Sequence, residues 1–201
     1  MQLDRRSIAL GGFFLASLAI LGGCGGGALR RSAPAVPRLV TQRLGNIRCA
    51  MTYDGDWLGG IPSIEDLEGD LDLAARRGVE ILIDLRWDGS KQYLPLEPYT
   101  SPLGLELVEV GVGRPVDTGS FRISKEAVDQ VRSILTAPGR RRVLLLDDSG
   151  TLAPAIYAVH LAVDEGIPEA EALRAARAVG LSSTCEGFVR EQVDRIESQA
   201  Q

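Results

Sequence analysis

From residue 47 onward, apolar positions follow two rhythms that alternate along the chain. Residues 47–53 read as a first strand and Trp57-Leu58-Gly59-Gly60 as a second, shorter one. Ile64, Leu67, Leu71, Ala74 and Ala75 then fall at helical spacing. Ser63 offers an N-cap oxygen before them, Asp66 stands three residues on in the manner of a capping box, and Gly78 supplies the stop. Residues 79–85 are an apolar run of the kind found in strands covered on both faces. A proline-rich loop (Pro95, Pro98, Pro102) leads to a strand over 105–112. Ser124 caps a second amphipathic helix carrying Ala127, Val128, Val131, Ile134 and Leu135 on one side. Val143-Leu144-Leu145-Leu146 is the most apolar strand and is expected at the sheet's centre. Helices over about 153–164, 168–178 and 184–197 complete the pattern. Strands alternating with helices predict a three-layer α/β domain, its central sheet mainly parallel, with helices on both faces.

The start of the chain follows neither rhythm. Asp4, Arg5 and Arg6 form a short, net-positive segment. Residues 7–23 are uncharged, with an apolar heart of Phe13, Phe14, Leu15, Leu18, Ile20 and Leu21. That heart is well short of the ~18–20 apolar residues a membrane-spanning helix needs, and it ends in small residues, so it reads as a secretory signal. Its close, Leu21-Gly22-Gly23-Cys24, resembles the lipobox of bacterial lipoproteins. The resemblance implies a diacylglycerylated Cys24 thiol, cleavage just before it, and acylation (palmitate or a similar chain) of the new amino group. Two or three acyl chains, at ~0.8 kcal/mol per buried methylene, exceed the marginal hold of one. Arg5-Arg6 followed by Ser7-Ile8-Ala9-Leu10 resembles a twin-arginine signal in part, lacking its usual Phe and Lys. Residues 25–43, rich in Gly, Pro and small side chains, read as a flexible tether. The expected organisation is therefore a signal over 1–23, a lipidated tether over 24–43 and one domain over 44–201, which is long enough for a single core. The domain is expected in the cell envelope, facing the periplasm or exterior. Gly25 stands where some bacteria place an Asp for inner-membrane retention, so inner and outer membrane are both open.

Charge sharpens this picture. The chain carries −5 at pH 7, and loss of Asp4, Arg5 and Arg6 with the signal makes the mature form one unit more negative. An acidic domain without a basic stripe is a poor nucleic-acid binder. Cys49 and Cys185 remain after lipidation of Cys24; an oxidising compartment permits a disulfide between them, and two buried thiols fit equally. With one His and no Cys/His/Asp cluster, neither a zinc site nor a cofactor is expected.

Three stretches carry a further resemblance. Gly59-Gly60-Ile61-Pro62-Ser63 precedes Asp66-Leu67 and the run from Ala75 to Arg86; residues 112–117 follow; and residues 143–154 end in the loop Asp147-Asp148-Ser149-Gly150-Thr151-Leu152. In this order they resemble the dual-specificity and tyrosine phosphatase superfamily, above all small bacterial domains of the beta-lactamase-hydrolase-like type. The resemblance spans roughly 47–181 and implies a phosphatase-like fold, with Asp117 at the general-acid position and 147–152 at the phosphate-binding loop. That chemistry uses a thiolate, its pKa lowered by loop N–H groups and a helix N-terminus, and an arginine that grips two phosphate oxygens. Here Leu146-Asp147 replaces His-Cys, and Leu152 or Ala153 replaces Arg. Asp147 and Asp148 would line a cradle built for a dianion. At 4 Å and ε ≈ 20 each like-charge contact costs about 4 kcal/mol, so the loop is expected to repel phosphate. Asp117 then reads as a turn residue.

The resemblance thus implies an inactive phosphatase-like module that binds a protein or small molecule at the envelope. An active phosphoester hydrolase of this superfamily is the alternative. The stretch from Leu145 to Leu152 also resembles the haloacid-dehalogenase motif, with Asp147 as nucleophile beside Mg²⁺, although Ser149 falls where its second Asp belongs. A further variant has Asp147 and Asp148 hold a divalent cation, and the plainest has both carboxylates favoured by a helix N-terminus. His160 reads as a satisfied helical residue, and Trp57 and Trp87 as packing residues. Arg140-Arg141-Arg142 reads as a solvated edge able to touch anionic headgroups.

Overall fold

A computed structural model of the chain describes residues 40–51, 55–113, 122–139 and 141–199. The signal, Cys24, residues 25–39 of the tether, Asp117, Arg140 and the side chain of Cys49 lie outside the described residues.

The sheet begins earlier than the sequence suggested. Strand β1 (Val40–Leu44) pairs antiparallel with β2 (Ile47–Met51), Leu44 opposite Ile47. Residues 40–43, expected in the tether, are therefore strand. As an outer strand β1 buries Leu44 while Val40 stays half exposed, so its apolar signal is too sparse to separate it from linker. Gly45-Asn46 turns the hairpin. At Gly45 (φ 60) a Cβ would sit 1.5 Å from a carboxylate oxygen of Asp70, and both oxygens of Asp70 accept the Asn46 N–H (3.1 and 3.0 Å).

The remaining elements run β3 (Trp57–Gly60), α1 (Ile64–Arg76), β4 (Ile81–Asp84), α2 (Asp88–Tyr93), α3 (Glu97–Thr100), β5 (Glu106–Glu109), β6 (Val112–Gly113) and β7 (Arg122–Ile123). They close with α4 (Lys125–Leu135), β8 (Val143–Asp147), α5 (Leu152–Val163), α6 (Glu169–Arg177) and α7 (Glu186–Gln199). The main sheet has the order β1-β2-β3-β8-β4-β5, with β3, β8, β4 and β5 parallel; β6 and β7 pair apart from it. Strand β8, buried throughout, lies between β3 and β4, with Leu144 facing both Trp57 and Leu82 in register. The expected α/β fold is the one observed.

Period-two alternation divides the strand side chains between two cores. Trp57, Leu82, Leu144 and Leu146 pack with Leu67, Leu71 and Ala74 of α1 and with Leu96. Leu58, Ile83, Val143 and Leu145 pack on the other face against α4, α5, α6 and α7. Helix α5 has no polar stripe, because neighbours enclose it from Leu152 to Leu161. No described helix is long and apolar enough to cross a membrane.

Three local details differ from the sequence reading. The proline-rich loop contains α3, and α2 precedes it; both are too short to show a helical period, and Pro98 sits in the first turn of α3. Ser63 makes no side-chain cap to the backbone; its hydroxyl instead donates to Asp66 Oδ2 (2.7 Å). Ser124 does cap, accepting the Ala127 N–H at 3.1 Å. Of the arginine run, Arg141 pairs with Glu106 (2.6 Å) and Arg142 donates to the Arg77 carbonyl (2.9 Å).

Candidate functional site

The four parallel strands end at one edge, and in parallel α/β sheets that edge forms the ligand crevice. Strand β8 stops there at Asp147 and the chain re-enters at the N-terminus of α5. Both flanking connections clamp the turn. Ile61 N–H donates to the Asp147 carbonyl (2.8 Å) and Leu85 N–H to the Leu146 carbonyl (2.7 Å). Three backbones then close on one another without side chains. A Cβ on Gly60 would lie 2.9 Å from the Gly150 nitrogen, and one on Gly180 2.9 Å from the Gly150 carbonyl oxygen. Gly150 and Gly180 both have positive φ (79° and 122°), a region that disfavours any side chain.

Within this clamp the Asp147 side chain turns inward. Its Oδ1 accepts the N–H groups of Ser149 (2.6 Å), Gly150 and Thr151 (3.3 Å), together with the Ser149 hydroxyl (3.2 Å). Its Oδ2 accepts the Ala153 N–H at 2.7 Å. The residue is 2% exposed. Burial pushes its carboxyl pKa up, and the N–H groups of Ala153, Ser149, Gly150 and Thr151 work against that rise. The loop's donors therefore converge on a carboxyl group that the chain itself supplies.

Asp148 behaves differently from its neighbour. It is exposed, and its Oδ2 accepts the Trp87 N–H at 2.9 Å. The expectation that both carboxylates line one cradle is corrected here: Asp147 fills it, while Asp148 stands outside between two clefts. One cleft, of 510 Å³, is walled by Ile61, Trp87, Tyr93 and Leu94; the other, of 260 Å³, by Asn46, Ser149, Gly150 and Gly180. Leu152 and Ala153, the two residues expected at the arginine position, are 3% and 0% exposed within the α5 core.

The structure thus gathers Asp147, Asp148, Ser149, Gly150, Thr151 and Leu152, while Cys24 and Asp117 fall outside the described residues. It adds residues that sequence reasoning passed over. Arg86, 1% exposed, forms a bidentate pair with Asp84 (Nε–Oδ1 2.9 Å, Nη2–Oδ2 2.7 Å) beneath the larger cleft. Both residues lie at the close of the run from Ala75 to Arg86, where a linear pattern does not disclose an ion pair. Trp87, read as packing, forms a cleft wall, whereas Trp57 is core. Cys185 is a free, buried thiol. Burial raises its pKa and the nearby Asp147 carboxylate raises it further, both of which disfavour a thiolate. His160 is fully buried and only half satisfied: Nδ1 lies 3.0 Å from Asp164 Oδ2, while Nε2 has no hydrogen-bond partner, its Glu165 Oε1 neighbour standing 3.7 Å away.

A parallel α/β sheet whose central strand feeds a tight loop and then a helix N-terminus defines a class of anion-cradling domain. Solved structures narrow the class to one fold. Kinase associated phosphatase, with its catalytic cysteine replaced by serine, superposes with a TM-score of 0.57 at 13% identity, over 72% of this chain and 89% of that one. A Cys-to-Ser form of TpbA from P. aeruginosa in complex with pTyr gives 0.56 at 16% identity, over 85% and 97%. Tk-PTP in its active form gives 0.53 at 17% identity, over 80% and 97%. No family model and no curated protein sequence matches the chain. The domain has the tyrosine and dual-specificity phosphatase fold.

Proposed function

We propose that this chain is a lipid-anchored, catalytically silent domain of phosphatase fold that acts at the cell envelope by binding. One observation carries the reading: the Asp147 carboxylate accepts four loop N–H groups, the donors that would otherwise hold a phosphate. A tethered anion holds its site at high effective concentration, and a phosphate dianion would have to displace it while facing Asp148.

Phosphoryl transfer by this fold needs an attacking thiolate and a guanidinium; Asp147 falls at the first position and Leu152 or Ala153 at the second. An aspartate-based attack is disfavoured by the same bonds. A carboxylate nucleophile needs an accessible oxygen, whereas both Asp147 oxygens are hydrogen-bonded and the residue is buried. Steady-state assay of the mature protein with an aryl phosphate, over about pH 5 to 8, is expected to give no turnover above buffer. Turnover that Asp147→Asn abolishes would overturn the reading.

Anchoring rests on the leader, with its net-positive start, short apolar heart and Leu21-Gly22-Gly23-Cys24 close. Cys24→Ser in the full chain is expected to move the protein from the membrane fraction to the aqueous fraction and to abolish incorporation of labelled palmitate. Unchanged membrane association and labelling would contradict the anchor.

A further inference from the structure

The 510 Å³ cleft beside Asp148 combines an apolar interior with one exposed carboxylate. Its walls are Ile61, Trp87, Tyr93 and Leu94, and Tyr93 is 93% exposed at the end of α2. The Trp87 ring is seated on Gly89, where a Cβ would fall 2.1 Å from the indole, so the backbone of α2 fixes that wall. The volume lies in the range of small-molecule sites, where apolar walls supply affinity and a few polar groups supply orientation.

Two described cations near this cleft are already engaged. The Arg86 guanidinium, on the cleft floor, is paired through two hydrogen bonds with buried Asp84. Lys91, on the same helix as Tyr93, donates to the Val110 carbonyl and to Asp88 (3.1 Å). Among the described residues, the exposed carboxylate of Asp148, oriented by the Trp87 N–H at 2.9 Å, is left as the uncompensated charge on the lining. A carboxylate beside two aromatic rings attracts cations twice, by direct charge and by the negative ring faces.

Building on the reading of this domain as a binding module, we infer that the Trp87–Tyr93–Asp148 cleft binds a small organic cation with an aromatic or branched apolar body. The ammonium sits against Asp148, and the body lies between Trp87, Tyr93 and Ile61.

Calorimetric titration of the mature protein with three isosteres tests this: phenethylammonium, phenethyl alcohol and phenylacetate. The ammonium is expected to bind roughly tenfold more tightly than the alcohol, and phenylacetate more weakly still. Asp148→Asn keeps an acceptor for the Trp87 N–H and is expected to erase the preference for ammonium over alcohol. Tyr93→Ala is expected to weaken the ammonium and the alcohol together. Equal binding of the three probes, or a cation preference that survives Asp148→Asn, would overturn the inference. Tighter binding of acetyl-arginine amide than of phenethylammonium would also contradict it, by assigning the cleft to a partner's basic side chain. Aryl-phosphate turnover in the same preparation separates the two proposals. Turnover would overturn the silent-domain reading, whereas absent cation preference without turnover would overturn only this one.

Discussion

One residue type decides what the loop can do. The sequence places Asp147 where this fold uses cysteine, and its acidity alone suggested a cradle that repels phosphate. Its inward rotamer was not legible, because nothing in a linear pattern says whether a carboxylate faces solvent or its own loop. The close packing of Gly60, Gly150 and Gly180 was hidden for a similar reason, since the three lie far apart in the chain. Asp148 was read together with Asp147 as one pair, yet only the contacts with Trp87 and the clefts distinguish them. Replacing Asp147 by Ala strands the buried Ala153 N–H and leaves three part-buried loop N–H groups without this acceptor. The expected loss of stability is about 2–4 kcal/mol in urea unfolding at neutral pH, the scale for removing an acceptor from buried donors. An unchanged unfolding midpoint would mean that the loop does not depend on this carboxylate.

Long periodic elements were legible as such. Helices α1 and α4 and strands β4 and β8 stand where the apolar spacing put them, since each buries a face that must be written into the sequence. Short or peripheral pieces were not: β1, α2, α3 and the two-residue β6–β7 ladder bury too few side chains to leave a period. Nor does periodicity disclose the polar network that ties helices together. Arg132 of α4 donates to both oxygens of Asp164 (3.0 and 2.5 Å), His160 of α5 contacts the same carboxylate, and Arg195 of α7 bridges back to Asp129 of α4. Burial opposes ionisation of Asp164, but hydrogen bonds from His160 and Arg132 outweigh it and hold its pKa below the usual carboxylate value. A pKa lowered by folding contributes stability above the unfolded value of about 3.9, and that stability is lost as pH falls through the folded value. Wild type is therefore expected to lose stability relative to Asp164→Asn as pH drops below about 4, measured by thermal unfolding across that range. A difference between them that does not vary with pH would show that the network is not electrostatic. Asp147, raised by burial, runs the other way, so the acid sensitivity belongs to α4, α5 and α7 rather than to the loop.

At the scale of the molecule, the fold was readable from the order of elements, and the position of its loop from the resemblance to the phosphatase superfamily. The occupant of the crevice was not, because it depends on which way two adjacent carboxylates point. The sheet delivers a loop with every feature of an anion site: clamped backbone, convergent N–H groups and a helix N-terminus. The chain then fills that site from within and leaves an acidic, aromatic cleft beside it. The central claim is that the cradle is occupied by Asp147, and anion binding reads it directly. Calorimetric titration of tungstate, a non-hydrolysable phosphate mimic, into wild type and Asp147→Ala compares the filled cradle with the vacated one. The account expects no saturable binding by wild type and measurable binding by the variant. Saturable binding by wild type that the substitution fails to strengthen would contradict it.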